Sequence, residues 1–544
     1  MIHRKENHMN ISFQKVRSHV GGVNGILLII YAFVICLSSV LARDVISPTY
    51  ILTAVIVIGV ACFLICPFIM RFLEKIKITS SAAEKEYSGR KKLCTGLAFY
   101  FITLICFLIF YFIYYPGCFD VDHLDQYTQA ITNKYSDWHP ALHTLVFYKL
   151  PLTLTGGWIG SIVLFQILLL SAVFSYSFCV IRKYAGIKLT VICMAFVLMN
   201  PQLQVLALCP YKDMAFMMCT VLLLTYGLQI YLSRGEWVKR PINTIAIVIV
   251  IVCATLVRHN AVLFTVPFAL AVALCIPKKR VVIIAIGAIV LFAGIKFPLY
   301  SMLNVEKPDQ RQIEMLGLPM TVIGTVVTEN PDALDEDIKE FAYRVAPEEI
   351  WEKRFVDGSY NFVKWNEKTD NSVIEEYGAK KVISMMFRCF RSSPRQALRG
   401  LIKLTEGVYS ITDSHCDPLI PFIRSNDNGI AHVGNGRFKE WCLGYFFCMY
   451  ETLGYVFSYL GIMHLLLIAS ILAKCRLNRL EDWKRILFIL PVLAYNFGTA
   501  LLLTGENDIQ RFFTYTFQVI PLLLLFIYHH KNERNTDISV TEVV

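Results

Sequence analysis

Three aspartates, Asp120, Asp122 and Asp125, fall within Tyr114–Gln126 (YYPGCFDVDHLDQ), directly after a long apolar run. Carboxylates this close raise one another's pKa and favour taking up a proton, a cation or a hydroxyl. Beside a bilayer they add little stability, so their expected use is on a ligand. Further polar groups mark the ends of later apolar runs: Lys212-Asp213, Arg258-His259-Asn260, and Glu506, Asp508, Gln510 and Arg511. Arg offers phosphate a fork of donors, and Lys offers a compact point charge. One carboxylate to take an acceptor's proton, with cations to hold charge growing on a departing phosphate, suffices for transfer from a phosphate-linked donor. Such a leaving group needs no strong general acid, unlike glycoside hydrolysis, where two carboxylates divide the work.

The elements that must position these groups are membrane spans. Of 544 residues, 56% are hydrophobic and 17% charged, and the mean hydropathy is +0.53. That composition fits an all-α polytopic membrane protein. With roughly 20 residues needed per crossing, about twelve spans are expected. The short runs Ile242–Val257 and Val262–Ile276 are the weakest, and Leu443–Ala473 is read as one span. The first apolar run lacks a small-residue cleavage site and is read as a retained span.

The net charge of +11 reflects topology and not nucleic-acid binding. Lys and Arg gather in alternate loops, as in Arg71–Lys92, Lys278–Arg280 and Lys474–Arg485, which is the positive-inside pattern. It places both termini in the cytoplasm and the aspartates on the extracytoplasmic face of a cell membrane. Residues 1–96 then form a tail with two extra spans, and 97–300 a transmembrane core carrying the outer loop 116–157. Residues 301–441 form an extracytoplasmic domain, 442–528 the last spans, and 529–544 a cytoplasmic tail.

In the outer loop, Asp120 can cap a helix over Val121–Thr132, with Asp122 and Gln126 four apart on one face. A second surface helix is expected from Asp137-Trp138-His139-Pro140 through Leu150, with Pro140 at its first position. Trp138, Tyr148 and Trp158 suit the interfacial aromatic belt. In 301–441, helices are expected over Asp332–Val345 and Ser372–Phe390, and the aromatics Tyr343, Trp351, Tyr360, Phe362, Trp365 and Tyr377 are expected in a core. Many of the cysteines lie in spans as small apolar residues. Cys389 and Cys416 share the outer segment and can pair if it is oxidising.

Each group also has a structural reading. Asp120 can serve only as a cap and Asp125 as a solvated face residue. Lys212 and Arg258 can snorkel to the interface, with Asp213 pairing Lys212, and Asp508 can neutralise Arg511. The Asp120, Asp122, Asp125 spacing offers a divalent cation some ligands but lacks the glycine and distal Glu of a calcium loop. His139 and His143 stand four apart, yet Pro140 occupies the place of a metalloprotease Glu. No cofactor is assigned with certainty.

The arrangement resembles the GT-C superfamily of membrane glycosyltransferases, through Pro116-Gly117, Asp122 and Gln126, Trp138-His139-Pro140, Lys212-Asp213, Arg258-His259-Asn260 and Asp508-x-x-Arg511-Phe512. The resemblance implies a polyprenyl-phosphate sugar donor, a glycan, lipid or protein acceptor, Asp122 as base, and Lys212, Arg258 and Arg511 as phosphate contacts. Asp120 and Asp125 remain alternatives for the base. Gln126, His139, Asp213, His259 and Asn260 join the site as substrate contacts. The competing class is a transporter or lipid flippase, which would place ionisable groups near the midplane and show related halves. Here the charge gathers at span ends, and the halves are unlike.

Overall fold

The computed structural model describes residues 22–41, 47–79, 89–308, 311–356, 358–411, 419–434, 436–475, 480–502 and 509–530. Helices of ten or more residues are numbered in chain order. They are α1 (Gly22–Leu41), α2 (Pro48–Lys75), α3 (Gly89–Ile113), α4 (Val121–Thr132), α5 (Gly160–Leu198), α6 (Lys212–Leu232), α7 (Pro241–Val257), α8 (Val262–Ala273) and α9 (Lys278–Met302). After these come α10 (Gly317–Glu329), α11 (Glu336–Val345), α12 (Ala379–Ser392), α13 (Pro394–Tyr409), α14 (Gly436–Phe457), α15 (Leu460–Lys474), α16 (Leu480–Leu502) and α17 (Ile509–Tyr528).

The molecule is an all-α polytopic membrane protein, because lipid forces each crossing segment to satisfy its own backbone. Among the described residues, eight helices are long and apolar enough to cross. Three shorter apolar helices, Pro241–Val257, His259–Ala273 and Leu460–Lys474, fall below that length. The expected span over Leu443–Ala473 is instead two helices, α14 and α15, separated by Ser458-Tyr459. Within α5, Gly186 has φ 76°, so this element is two helices joined at a break. Side chains such as Phe68, Phe112, Ile289 and Val290 face outward and apolar, as lipid contact requires.

The apolar helices pack pairwise, α3 on α5, α6 on α7 and α17, and α8 on α16. A second core lies in 301–441, around Phe341, Trp351, Tyr360 and Met385, where α10 packs against α12 and α13. The helix expected from Asp332 begins at Glu336, after a short 3-10 turn over Pro331–Ala333. The one expected over Ser372–Phe390 is broken by Gly378 at φ 75°, leaving Ser372–Tyr377 and α12. At the other end of the chain, His529 and His530 form a two-residue parallel ladder with Ile78 and Thr79.

The transmembrane interior carries neutral polar groups that the apolar pattern hid. Asn496 on α16 donates to Thr516 at 2.9 Å and lies 2.9 Å from Nε2 of His464, all three buried. Such groups are tolerated in a bundle because they satisfy one another.

Candidate active site

The site begins with the backbone between α3 and α4. Gly117 has φ 121°, and a Cβ there would stand 2.5 Å from Val163 Cγ2 and 2.9 Å from the Leu208 carbonyl oxygen. Only glycine lets the loop approach α5 and the turn before α6 so closely. Cys118 N–H then donates to the same Leu208 oxygen at 2.9 Å. The Cys118 and Cys209 thiols meet in this contact.

The expected helix over Val121–Thr132 is α4. Asp120 is its N-cap, and Asp120 Oδ1 accepts from Val121 N–H at 2.8 Å. His123 closes the capping box by accepting from Asp120 N–H at 2.8 Å. Asp120 also lies 3.3 Å from Arg424, whose strand-like segment pairs with Phe119. The cap reading of Asp120 is therefore what the geometry shows.

Asp122, in the first turn of α4, points at cations from distant helices. Arg511 at the start of α17 donates to Asp122 Oδ2 at 2.7 Å. Its Nε lies 3.8 Å from Asp213 Oδ2, and Asp213 pairs with Arg258 on its other side. Asp213 and Arg258 are each almost fully buried. The result is a chain Asp122, Arg511, Asp213, Arg258, with Lys212 within electrostatic reach of Asp122. Asp213 thus serves the two arginines and not Lys212, contrary to expectation. Arg258 does not snorkel outward: its guanidinium packs over Phe512 at 4.8 Å and over Phe216 and Tyr495 at 5.8 Å. Arg511 stacks likewise over Tyr211 and Phe512. Asp508 and Glu506 lie outside the described residues, as does Cys416, expected partner of Cys389.

Burial pushes the Asp122 carboxyl up, but Arg511 and then Lys212 outweigh it and hold the group well below the usual carboxylate range. Asp125 behaves oppositely. Burial raises it, its hydrogen bond from Gln129 at 2.8 Å lowers it less, and nearby Asp122 raises it further.

His139 is buried, and not a surface contact. Its Nδ1 lies 3.3 Å from Lys212 Nζ and its Nε2 3.4 Å from Asp125 Oδ2. The tautomer consistent with both is neutral, with Nδ1 accepting from the ammonium and Nε2 donating to the carboxylate. Burial, then Lys212, drives its pKa far below the ordinary histidine value. His143 and His123 are each pushed down to about 3, burial being the largest cause.

Gln126 is buried, with its amide engaged in local bonds: Oε1 meets His143 Nδ1 at 2.7 Å and Thr144 Oγ1 at 3.3 Å, while Nε2 donates to the Asp122 carbonyl at 3.3 Å. It ties α4 to the next segment. That segment is helical without interruption over residues 141–154, beyond the expected end at Leu150, and its middle, Thr144–Lys149, is a wide π turn. The wide turn packs on α4 and buries Phe147 and Tyr148. Pro140 precedes the helix as its N-cap residue.

Asn260 accepts from Arg258 Nε at 2.7 Å and donates to Thr499 at 2.9 Å, so it orients the guanidinium. His259 donates to the Asp137 carbonyl at 3.0 Å, and Tyr300 donates to Asp137 Oδ1 at 2.6 Å. Tyr300, Tyr211, Arg424 and Gln129 were not singled out from sequence; only the D-x-x-H spacing of Asp120 and His123 carries a local signal, that of a capping box.

No family model, curated protein or solved structure matches the chain. Among the described residues, no group of three or more His, Cys, Asp or Glu side chains is arranged to hold a metal.

Proposed function

We propose that this protein is a GT-C-type glycosyltransferase that moves a sugar from a polyprenyl-phosphate carrier to an acceptor on the extracytoplasmic side. The observation that carries the reading is the convergence of Lys212, Arg258 and Arg511 on the carboxylates of Asp122 and Asp213 at one end of the bundle. Asp125 and Glu314 also lie within electrostatic reach of Lys212, so what suits a phosphate here is geometry and not surplus charge: preorganised guanidinium forks match its oxygens.

In this reading Asp122 is the base. It stays ionised beside Arg511, and arrival of an anionic headgroup draws the guanidinium toward phosphate, freeing the carboxylate to take the acceptor's proton. Asp125, joined to Lys212 through His139, is the second carboxylate within reach. His139 keeps Lys212 aimed without adding charge.

The test is transfer from a panel of polyprenyl-phosphate hexoses by protein reconstituted in liposomes, with Asp122→Asn beside wild type. Loss of transfer in a folded, abundant variant supports the assignment; wild-type turnover removes Asp122 from the base role.

One observation favours a transporter or flippase instead: the buried polar cluster of His464, Asn496, Thr516 and Tyr515. It begins one turn below Thr499, which meets Asn260 at the site. Movement of a labelled glycolipid across vesicles without sugar transfer would support that class.

A further inference from the structure

Trp365 departs from the expected role of the aromatics in 301–441. Trp351 and Tyr360 are fully buried, but Trp365 is 61% exposed. Its ring meets Trp138 of the first loop edge-on, with centroids 6.4 Å apart and planes at 70°. The Lys364 ammonium lies 4.5 Å from the Trp365 centroid and 5.8 Å from that of Trp138. Glu314 is its ion-pair partner. The lysine side chain is only 2% exposed, whereas Glu314 keeps 42%.

A lysine buried between two indoles and a carboxylate fixes both ring planes, because ring faces and carboxylate together replace the water its charge has lost. The corner is also fastened to the site. Asp137 N–H donates to the Glu306 carbonyl at 2.8 Å, and Glu306 N–H to that of Tyr135 at 2.9 Å, locking the loop to the start of the 301–441 segment. Trp138 immediately precedes His139, which touches Lys212 and Asp125. Glu314 itself lies within electrostatic reach of Lys212.

An accessible indole beside an accessible carboxylate matches a ligand with an apolar C–H face and a rim of hydroxyl donors. That ligand is a sugar ring: its C–H face packs on the aromatic surface, and its hydroxyls donate to the carboxylate. We propose that Trp138, Trp365 and Glu314 form a subsite for a sugar ring of the acceptor, an inference that rests on the glycosyl-transfer reading. The acceptor is favoured over the donor because the donor's sugar is tethered through phosphate to a lipid. The corner is built partly from 301–441, where no described helix is apolar and long enough to span.

The test uses full-length protein in lipid nanodiscs and a panel of glucose, galactose, mannose, rhamnose and N-acetylglucosamine trisaccharides, read by saturation-transfer NMR. The expected result is signal on ring C–H protons for at least one probe. It should fall about fivefold in Trp365→Ala, persist in Trp365→Phe, and weaken in Glu314→Gln. Asp122→Asn should retain the signal while losing transfer, which separates the subsite from the chemistry. If the bound probe is a substrate, Trp365→Ala raises the KM for that acceptor and leaves the KM for the lipid donor unchanged; a change confined to the donor overturns the assignment. So does a panel with no binder, a signal indifferent to Trp365→Ala, or quenching of Trp365 by brominated lipid, which would place the indole in the bilayer. If saccharide binding fails while transfer persists, the subsite falls and the enzyme reading stands.

Discussion

Arg511 donates to Asp122 across 2.7 Å although 389 positions separate them in the chain. This contact closes the bundle, bringing the start of α17 onto the first helix of the loop after α3. It also sets the protonation state of Asp122, whose carboxyl is held far down by Arg511 and Lys212 against the upward push of burial. A group with a depressed folded pKa contributes stability above its unfolded value, near 3.9, and loses it only as pH falls through the folded value. Asp122 is therefore expected to stay ionised throughout pH 5 to 9, and a pH–rate profile should show no acid limb from it. Removing its charge in Asp122→Asn is expected to lower turnover by about 10²–10⁴-fold, as for loss of a general base. Arg511→Ala should instead raise donor KM, and Arg511→Lys should recover part of the loss.

The three histidines around α4 should make the loop acid-sensitive. His123 and His143 are pushed down to about 3 and His139 is well below the ordinary value, all chiefly by burial. The unfolded chain takes up protons below about pH 6.5 while the folded one refuses them. Stability is thus full above that pH and falls between it and the folded values, by up to about 1.4 kcal/mol per pH unit for each histidine. Thermal unfolding in detergent from pH 7.5 to 4.5 measures this. A His143→Gln variant that stays folded should flatten the slope, and an unchanged slope would remove His143 from the account.

Asp213 and Arg258 form the most deeply buried ion pair of the site. Arg258→Ala leaves a carboxylate with its nearer partner gone, at a cost of about 3–5 kcal/mol. Replacing both, as Asp213→Leu with Arg258→Met, should restore much of that stability while leaving transfer absent. Denaturation midpoints of wild type and these two variants, with activity, distinguish a packing role from a phosphate-binding one.

The loop's seat on α5 and on the turn before α6 can be probed through two thiols. Cys118 and Cys209 are buried and in contact, and both are free. Mild oxidation of purified protein should cross-link them, identified by a linked tryptic peptide; no linkage under conditions that oxidise Cys94 would contradict the packing. Gly117→Ala should loosen the same seat, since its Cβ meets Val163 and the Leu208 oxygen at a positive φ. A loss of about 1–3 kcal/mol is expected, read as a lower unfolding midpoint.

Much was legible locally. Apolar run length identified a membrane protein of helices, because a bilayer imposes the same length and backbone rule on every crossing. The spacing around Asp120 located α4 and its cap, since capping is settled within four residues. Length failed where an apolar stretch is broken without a polar mark: the Ser458-Tyr459 break lies in sequence that reads as one span.

Sequence alone determined which residues carry charge at the ends of apolar runs, and hence the pool from which a site could be built. Only the tertiary structure decided their partners: Asp213 with Arg258 and Arg511, Asp122 with Arg511, His139 between Lys212 and Asp125, and Trp365 beside Trp138. The reason is range. Helix caps and apolar faces arise from neighbours a turn apart, whereas ion pairs and ring contacts depend on which helices pack together, and no local pattern encodes that.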